Sequence, residues 1–310
     1  MSNRETYKAL CRTRTLPLFI QPEWWDAHYS YWDVLMVSHE GYTLYFPYCI
    51  EKKWSIRFIR NPRLTPYSGY IFSDTQTPLE IQHILVQKWK EAIPTSQILQ
   101  IDLFPENGLD LANPSWVITE KITNLLSLTN VDDVYKKLKP ALQRQIKKAT
   151  KNLVHVESDD ITLFYSLYEK TFLKQHIKPA FKFSDFERVW KFCKKNNAGQ
   201  IYFCKDDVGN IHAALLLVYD ADKAYYLAGG TDANFYGSGA MSYLMWHAIQ
   251  KSMEMGKLFF DFEGSMLPNV NRFFQNFSGD EIKYLSISKI DSIWYAWIKK
   301  MKTKLTARSH

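Results

Sequence analysis

The sequence predicts an α+β fold on a mixed sheet, and three observations carry that prediction. Aromatic and β-branched runs in the first ~130 residues alternate with turn signals but show no repeating strand–helix rhythm. Three strand-like runs between 199 and 231 are joined only by the tight polar turns "DDVGN" and "DADK", so neighbours must be antiparallel. Helical periodicity then returns between single strands in the last third. The 310 residues, 46% of them hydrophobic, are enough for more than one core. A division into residues 1–150 and 151–310 is expected, with the last strand and a terminal helix able to pack back on the first part.

In chain order, "YTLYFPYCI" (42–50) and "WSIRFIR" (54–60) read as paired strands with "EKK" as their hairpin loop. "TPLEIQHILVQKWKEAI" (77–93) reads as a helix capped by Thr77, with Pro78 in its first position and Ile81, Leu85 and Trp89 on one face. "SQILQIDLFP" (96–105) is strand-like. Asp132 and Asp133 suit a helix start, and Pro140 opens a second helix whose apolar face is Leu142, Ile146 and Ala149. Helices are expected at 161–176 and at 184–197, the latter opened by Ser184 with Glu187 three residues on. After the three strands come a helix from about Gly239 to Met255, the strand "LFFDFEG" (258–264), the helix "NVNRFFQNF" (269–277) and the strand "IKYLSISK" (282–289).

The charge balance is +7, which favours an anionic partner without choosing among nucleic acid, a phosphorylated cofactor and a membrane surface. Between Lys136 and Lys151 lie seven basic residues and no acid; Arg144, Lys148 and Lys151 share one side. Those residues suit either a clamp for an anionic ligand or a solvated face. The four cysteines form no C-x-x-C pair, so a reducing compartment is expected and neither a metal site nor a disulfide is. "MSNRETYKAL" lacks the apolar core of a secretion signal, and the longest aliphatic run, "AALLLV" (213–218), is too short to span a bilayer. The expectation is a soluble, cytoplasmic protein with no transmembrane segment. G-x-S-x-G, H-E-x-x-H and the dinucleotide glycine fingerprint are absent, which argues against large hydrolytic and redox classes.

Three segments, taken together, carry a resemblance. "LQRQIKKATK" (142–151), "YYLAGGTDANFYGSGAMSYLMWHAIQKSMEMG" (225–256) and "FDFEGSMLPNVNRFFQNFSG" (260–279) resemble motifs of the Gcn5-related N-acyltransferase (GNAT) fold. They are similar in particular to Fem-type aminoacyltransferases and their FemAB-like relatives, which carry two such domains in tandem. The resemblance implies acyl or aminoacyl transfer from acyl-CoA or aminoacyl-tRNA to an amine acceptor, with a peptidoglycan or other cell-wall precursor among the acceptors. The acetyltransferase pyrophosphate loop, Q/R-x-x-G-x-G/A, is present only in part, as "NFYGSGA". Fem-type enzymes that use aminoacyl-tRNA often carry a coiled-coil arm; no long heptad segment is present here, which favours a CoA-like donor over tRNA.

The residues give these motifs a chemistry. Tyr236, Gly237, Ser238, Gly239 and Ala240 open a helix, where free N–H groups and the helix dipole attract phosphate; a tight turn needing glycine explains the same residues. In "FDFEGS" the strand period sets Asp261 and Glu263 on one face. One of them with a raised pKa could take the proton from an attacking amine; alternatively Asp261 pairs with a base and Glu263 caps the next loop. Some relatives carry glycine at the position of Glu263, which leaves substrate-assisted proton transfer open. Asn271 could bind the donor and Arg272 the substrate, with Phe273 and Phe274 walling a pocket or lying in the core. Tyr226 and Gly229, with Arg144 and Lys148, are the remaining substrate-binding candidates, since the glycines after Tyr226 mark a close approach to the backbone. The tail "WYAWIKKMKTKLTARSH" (294–310) suits peripheral attachment to an acidic membrane or a solubilising end. The reading from a different class is a non-catalytic binding protein for nucleic acid or an anionic precursor.

Overall fold

A computed structural model describes residues 2–173, 178–263 and 268–291. Helices α1 (Asn3–Cys11) and α2 (Pro22–His28) precede strands β1 (Asp33–His39), β2 (Tyr42–Tyr48), β3 (Ile50–Lys53), β4 (Ile56–Arg60) and β5 (Ile71–Phe72). Helix α3 (Leu79–Ala92), strands β6 (Ile98–Asp102) and β7 (Val117–Ser127), and helices α4 (Val131–Lys137) and α5 (Pro140–Asn152) follow. Strand β8 (Val154–Ser158), helices α6 (Ile161–Leu173) and α7 (Phe183–Asn196), and strands β9 (Gly199–Lys205), β10 (Ile211–Tyr219) and β11 (Lys223–Thr231) come next. The chain then forms α8 (Ala240–Glu254), β12 (Phe259–Asp261), α9 (Pro268–Phe274) and β13 (Asp280–Ile290). The mixed α+β class is therefore observed.

Contacts group the described chain into two units, one of residues 2–14, 29–121 and 284–291, the other of residues 15–28 and 122–283. Residues 122–150, which the sequence division assigns to the first part, pack with the second. The reason is burial: Leu126, Leu142, Ile146 and Ala149 share one apolar cluster with Leu244, Ile249 and Phe260.

In the first unit β2 lies between β1 and β5, while β3 and β4 form a hairpin whose β4 runs parallel to β6. The end of β13 pairs antiparallel with β6, Ile287 opposite Ile101. Leu44, Phe46, Tyr70, Leu85, Trp89, Ile101 and Ile287 form the core. "EKK" is not the hairpin loop: Glu51–Lys53 belong to β3, the turn is Trp54–Ser55, and β2 pairs elsewhere. An edge strand tolerates this lysine-rich sequence because one side of it needs no partner. Ile81, Leu85 and Trp89 are buried along α3 as their spacing requires, but Thr77 does not cap it. Its hydroxyl donates to the Asp74 carbonyl (2.6 Å), a local turn that competes with capping.

In the second unit β8, β9, β10 and β11 are successive antiparallel neighbours, β12 runs parallel to β11, and β7 pairs antiparallel with β12. α7 starts one residue earlier than its sequence suggests: the Asp185 carboxylate, not Glu187, accepts from the Lys182 N–H (3.0 Å). The expected helix end at 174–176, the Gly264–Ser265 part of the strand-end motif and the tail 294–310 lie outside the described residues.

Candidate active site

The site begins where two strands part. Phe259, Phe260 and Asp261 pair in parallel register with Lys223, Ala224 and Tyr225, and there the ladder stops. Beyond it β11 continues along β10 to Thr231, while the Phe262 N–H donates to the Asn124 carbonyl of β7 (3.0 Å). Each strand thus keeps its other neighbour and a gap opens between them. A register shift between Leu216 and Leu217 in β10, opposite Ala228 and Tyr226, bends the same stretch of β11.

One side of the gap leads to the helix start. Asp232, held by Lys170 (2.6 Å) and accepting from the Asn234 N–H (3.0 Å), fixes the turn 233–238; Lys170 is the main cause of its lowered carboxyl pKa. Gly239 then takes a φ of 78° as the cap of α8. A Cβ there would sit 3.1 Å from the Gln145 carbonyl of α5, so this glycine serves both the turn and the approach of two helices. Gly237, by contrast, faces open space. The Ser238 hydroxyl accepts from the Ala240 N–H (3.2 Å), and the amides of Met241 and Ser242, in the first turn, have no intrahelical acceptor. A cavity of about 300 Å³ lies here, lined by Gln145, Thr231, Tyr236, Phe273 and residues 239–242. Gly237 thus has open space around it in the turn before the helix start, whereas Gly239 is needed for packing.

The other side carries the acids. Asp261 is buried; its Oδ1 accepts from the Thr123 hydroxyl (2.5 Å) and from the Glu263 N–H (2.8 Å). Glu263 has a φ of 53°, so the strand pleat expected to set both acids on one face has ended by this residue. A turn relates them instead. Burial, and then the neighbouring Asp261, push the Glu263 carboxyl well above its ordinary range. Its Oε1 is buried with no hydrogen-bond partner among the described residues.

Tyr225 is fully buried and donates to Asp220 (2.8 Å), a core role. Tyr226 packs edge-on to Phe274, and burial, then Glu263, raise its phenol pKa. Gly229 leaves room for it: a Cβ there would lie 2.4 Å from the Tyr226 hydroxyl.

The remaining expected residues do not all meet at this site. The Asn271 amide is engaged with Asn124 (2.8 Å) and Glu281 (3.3 Å), so its hydrogen bonds go to the protein. Arg272 is exposed, Phe273 lines the cavity and Phe274 is core. Arg144 and Lys148 are exposed on α5 and do not line the cavity. Gln145 does, and it accepts from the Ser242 hydroxyl (3.1 Å). Its position three residues after buried Leu142 and four before buried Ala149 is the signal that marks it as a seam residue. Thr123 and Asn124 carry no such local signal. Among the described residues no group of three or more His, Cys, Asp or Glu could hold a metal ion, and no helix is long and apolar enough to cross a membrane.

Residues 136–273 match the family model of the acetyltransferase (GNAT) domain, which makes this stretch an acyltransferase domain. No curated protein matches the chain in sequence. Among solved structures, FemX is similar over 95% of this chain and 98% of its own, with a TM-score of 0.68 and 13% identity. The C-terminal domain of a protein designated a lysylphosphatidylglycerol synthetase, from Agrobacterium fabrum, is similar over 88% of each chain (TM-score 0.55, 14% identity). L-PGS from Bacillus licheniformis is similar over 95% of this chain and 94% of its own (TM-score 0.52, 11% identity). These likenesses are of fold: the chain has the fold of FemX over both units.

Proposed function

We propose that the second unit moves an acyl group from an activated thioester or ester donor to an amine acceptor, with Glu263 taking the proton. The observation that carries this reading is the Glu263 carboxyl, whose Oε1 is buried with no hydrogen-bond partner among the described residues and whose pKa is raised, at the point where β11 and β12 part. A buried acid left unsatisfied costs stability, and such groups concentrate where a reaction needs them.

The chemistry follows from the geometry. The amine nitrogen attacks the acyl carbonyl, its proton passes to Glu263, and the donor's sulfur or oxygen leaves. Backbone N–H groups of β11 after Tyr225, freed from strand pairing on the side of the gap, suit the developing negative charge on the carbonyl oxygen. Tyr226, with its hydroxyl accommodated by Gly229, suits substrate contact. The 236–239 turn and the free amides of α8 suit the phosphates of a CoA-like donor; Gly237 leaves the backbone open to them. Of the two donor classes we favour acyl-CoA. The fold shared with FemX and with the lysylphosphatidylglycerol synthetase domain supports an acceptor in the cell envelope.

Thermal stabilisation by CoA, acyl-CoA and tRNA, measured on the wild type and on Gly237→Glu, tests the donor. CoA or acyl-CoA should raise the melting temperature of the wild type, and Gly237→Glu should remove the rise by placing a carboxylate at the phosphate position. Gly239 is the wrong residue to change, because any side chain there strikes α5. No stabilisation by either CoA species, or an equal rise in the variant, would reject the CoA reading; a rise with tRNA alone would put aminoacyl-tRNA in its place.

A further inference from the structure

The tip of the β3–β4 hairpin is built unlike a turn that faces only water. Trp54 is 84% exposed and has a φ of 54°, a conformation that glycine or asparagine adopts readily and a bulky aromatic does not. Lys52 and Arg57 face each other directly across the ladder, a like-charge pair that weakens the hairpin. Lys53 reaches back over the Trp54 ring, 5.4 Å from its centroid. The hairpin's single acid, Glu51, is committed to Arg60 (2.6 Å) and the Tyr29 hydroxyl (3.1 Å). Among the described residues Lys52, Lys53 and Arg57 therefore have no acidic partner.

We propose that this tip anchors the protein on an anionic lipid bilayer. Trp54 enters the headgroup boundary, where an indole buries its ring and keeps its N–H wet, and Lys52, Lys53 and Arg57 meet lipid phosphates. A negative, partly apolar partner offsets the repulsion of the like-charge pair and gives the exposed indole a surface to bury against. Stacking on nucleic acid is the weaker fit, because it relies on a groove or on several aromatic faces. Here one indole projects from a two-residue turn, and the other aromatic of the hairpin, Phe58, is buried. This surface is independent of the acyl-transfer reading.

Sedimentation of the full chain with phosphatidylcholine vesicles, with and without phosphatidylglycerol, tests the proposal. The wild type should bind the phosphatidylglycerol vesicles preferentially and lose binding as salt rises. Trp54→Asn and Lys52→Glu should each weaken binding by about tenfold. Their melting temperatures should equal or exceed the wild-type value, since asparagine accepts the backbone conformation and an acid at position 52 faces Arg57. That combination rules out unfolding as the cause. Equal sedimentation with both vesicle types, or both variants binding as the wild type does, overturns the proposal. So does a loss of tRNA binding in the variants with vesicle binding unchanged, which would mark the tip as a nucleic-acid surface.

Discussion

Asn107 in the first unit and Asn124 in the second are both buried, yet their amides meet different surroundings. Asn107 accepts from the Tyr70 N–H (2.9 Å) and donates to the Tyr70 carbonyl (3.1 Å), and Gly69 leaves space for it: a Cβ there would lie 1.9 Å from its Oδ1. Asn124 donates to Asn271, but its Oδ1 has no partner among the described residues, like Glu263 Oε1 nearby on the chain it bonds. The first amide mimics a missing strand and closes a loop. The second bonds Asn271 through its Nδ2 and leaves its Oδ1 unmet among the described residues, on the strand whose Thr123 bonds Asp261. A fold that satisfies one buried amide fully and leaves another short separates scaffold from candidate machinery.

The largest expected effect breaks the machinery side alone. Glu263→Gln should lower acyl-transfer rate by about 10²–10⁴-fold while the protein stays folded, as judged by product formation and melting temperature. The sign with pH follows from the raised carboxyl. In the wild type the unfolded chain releases this proton near the ordinary value of 4.5 and the folded chain only well above it. Stability therefore falls as pH rises across that interval, and rate rises as the base is freed. The variant should show neither slope; an unchanged rate would remove Glu263 from the chemistry.

A middle-sized effect tests the comparison itself. Asn107→Ala leaves both Tyr70 backbone groups unmet and should cost about 2–4 kcal/mol in urea unfolding. Asn124→Ala removes one bond and one already unmet acceptor, so about 1 kcal/mol is expected. Equal costs would make Asn124 a clamp like Asn107 and erase the distinction. The smallest effect sharpens the reading of the glycine loop. Gly239→Ala should cost about 1–2 kcal/mol, from its left-handed backbone and the Gln145 carbonyl, whereas Gly237→Ala should stay within about 0.5 kcal/mol.

What the sequence made legible is local. The apolar stripe Leu142, Ile146 and Ala149 and the three strands from 199 to 231 follow from periods of 3.6 and 2, which each segment carries by itself. The loop after β11 and the acids at 261 and 263 were findable because glycine and alternating acids are conspicuous in single segments. The hairpin turn was not, because three charged residues imitate a loop and their edge position in the sheet is a property of other strands. Nor was the hydrogen bond from Thr123 to Asp261, which joins residues 138 positions apart. Asn271 and Arg144 were drawn to the ligand by their chemistry, whereas tertiary partners engage the first with Asn124 and Glu281 and helix rotation leaves the second outside the cavity.

The pairing of β13 with β6 sets an order on the birth of the molecule. Ile287 belongs to the first unit's core, opposite Ile101 and 186 residues after it by their numbering. A chain emerging from the ribosome at about 5–20 residues per second completes residues 122–283 before the stretch of β13 that pairs with β6, Ser286 to Ile290, exists. The second unit can then close on its own contacts while the first waits, with the edge of β6 open, for residues 284–291. Synthesis from the N-terminus therefore finishes the later unit first, and the interval before β13 arrives is when an exposed strand edge is most open to wrong partners.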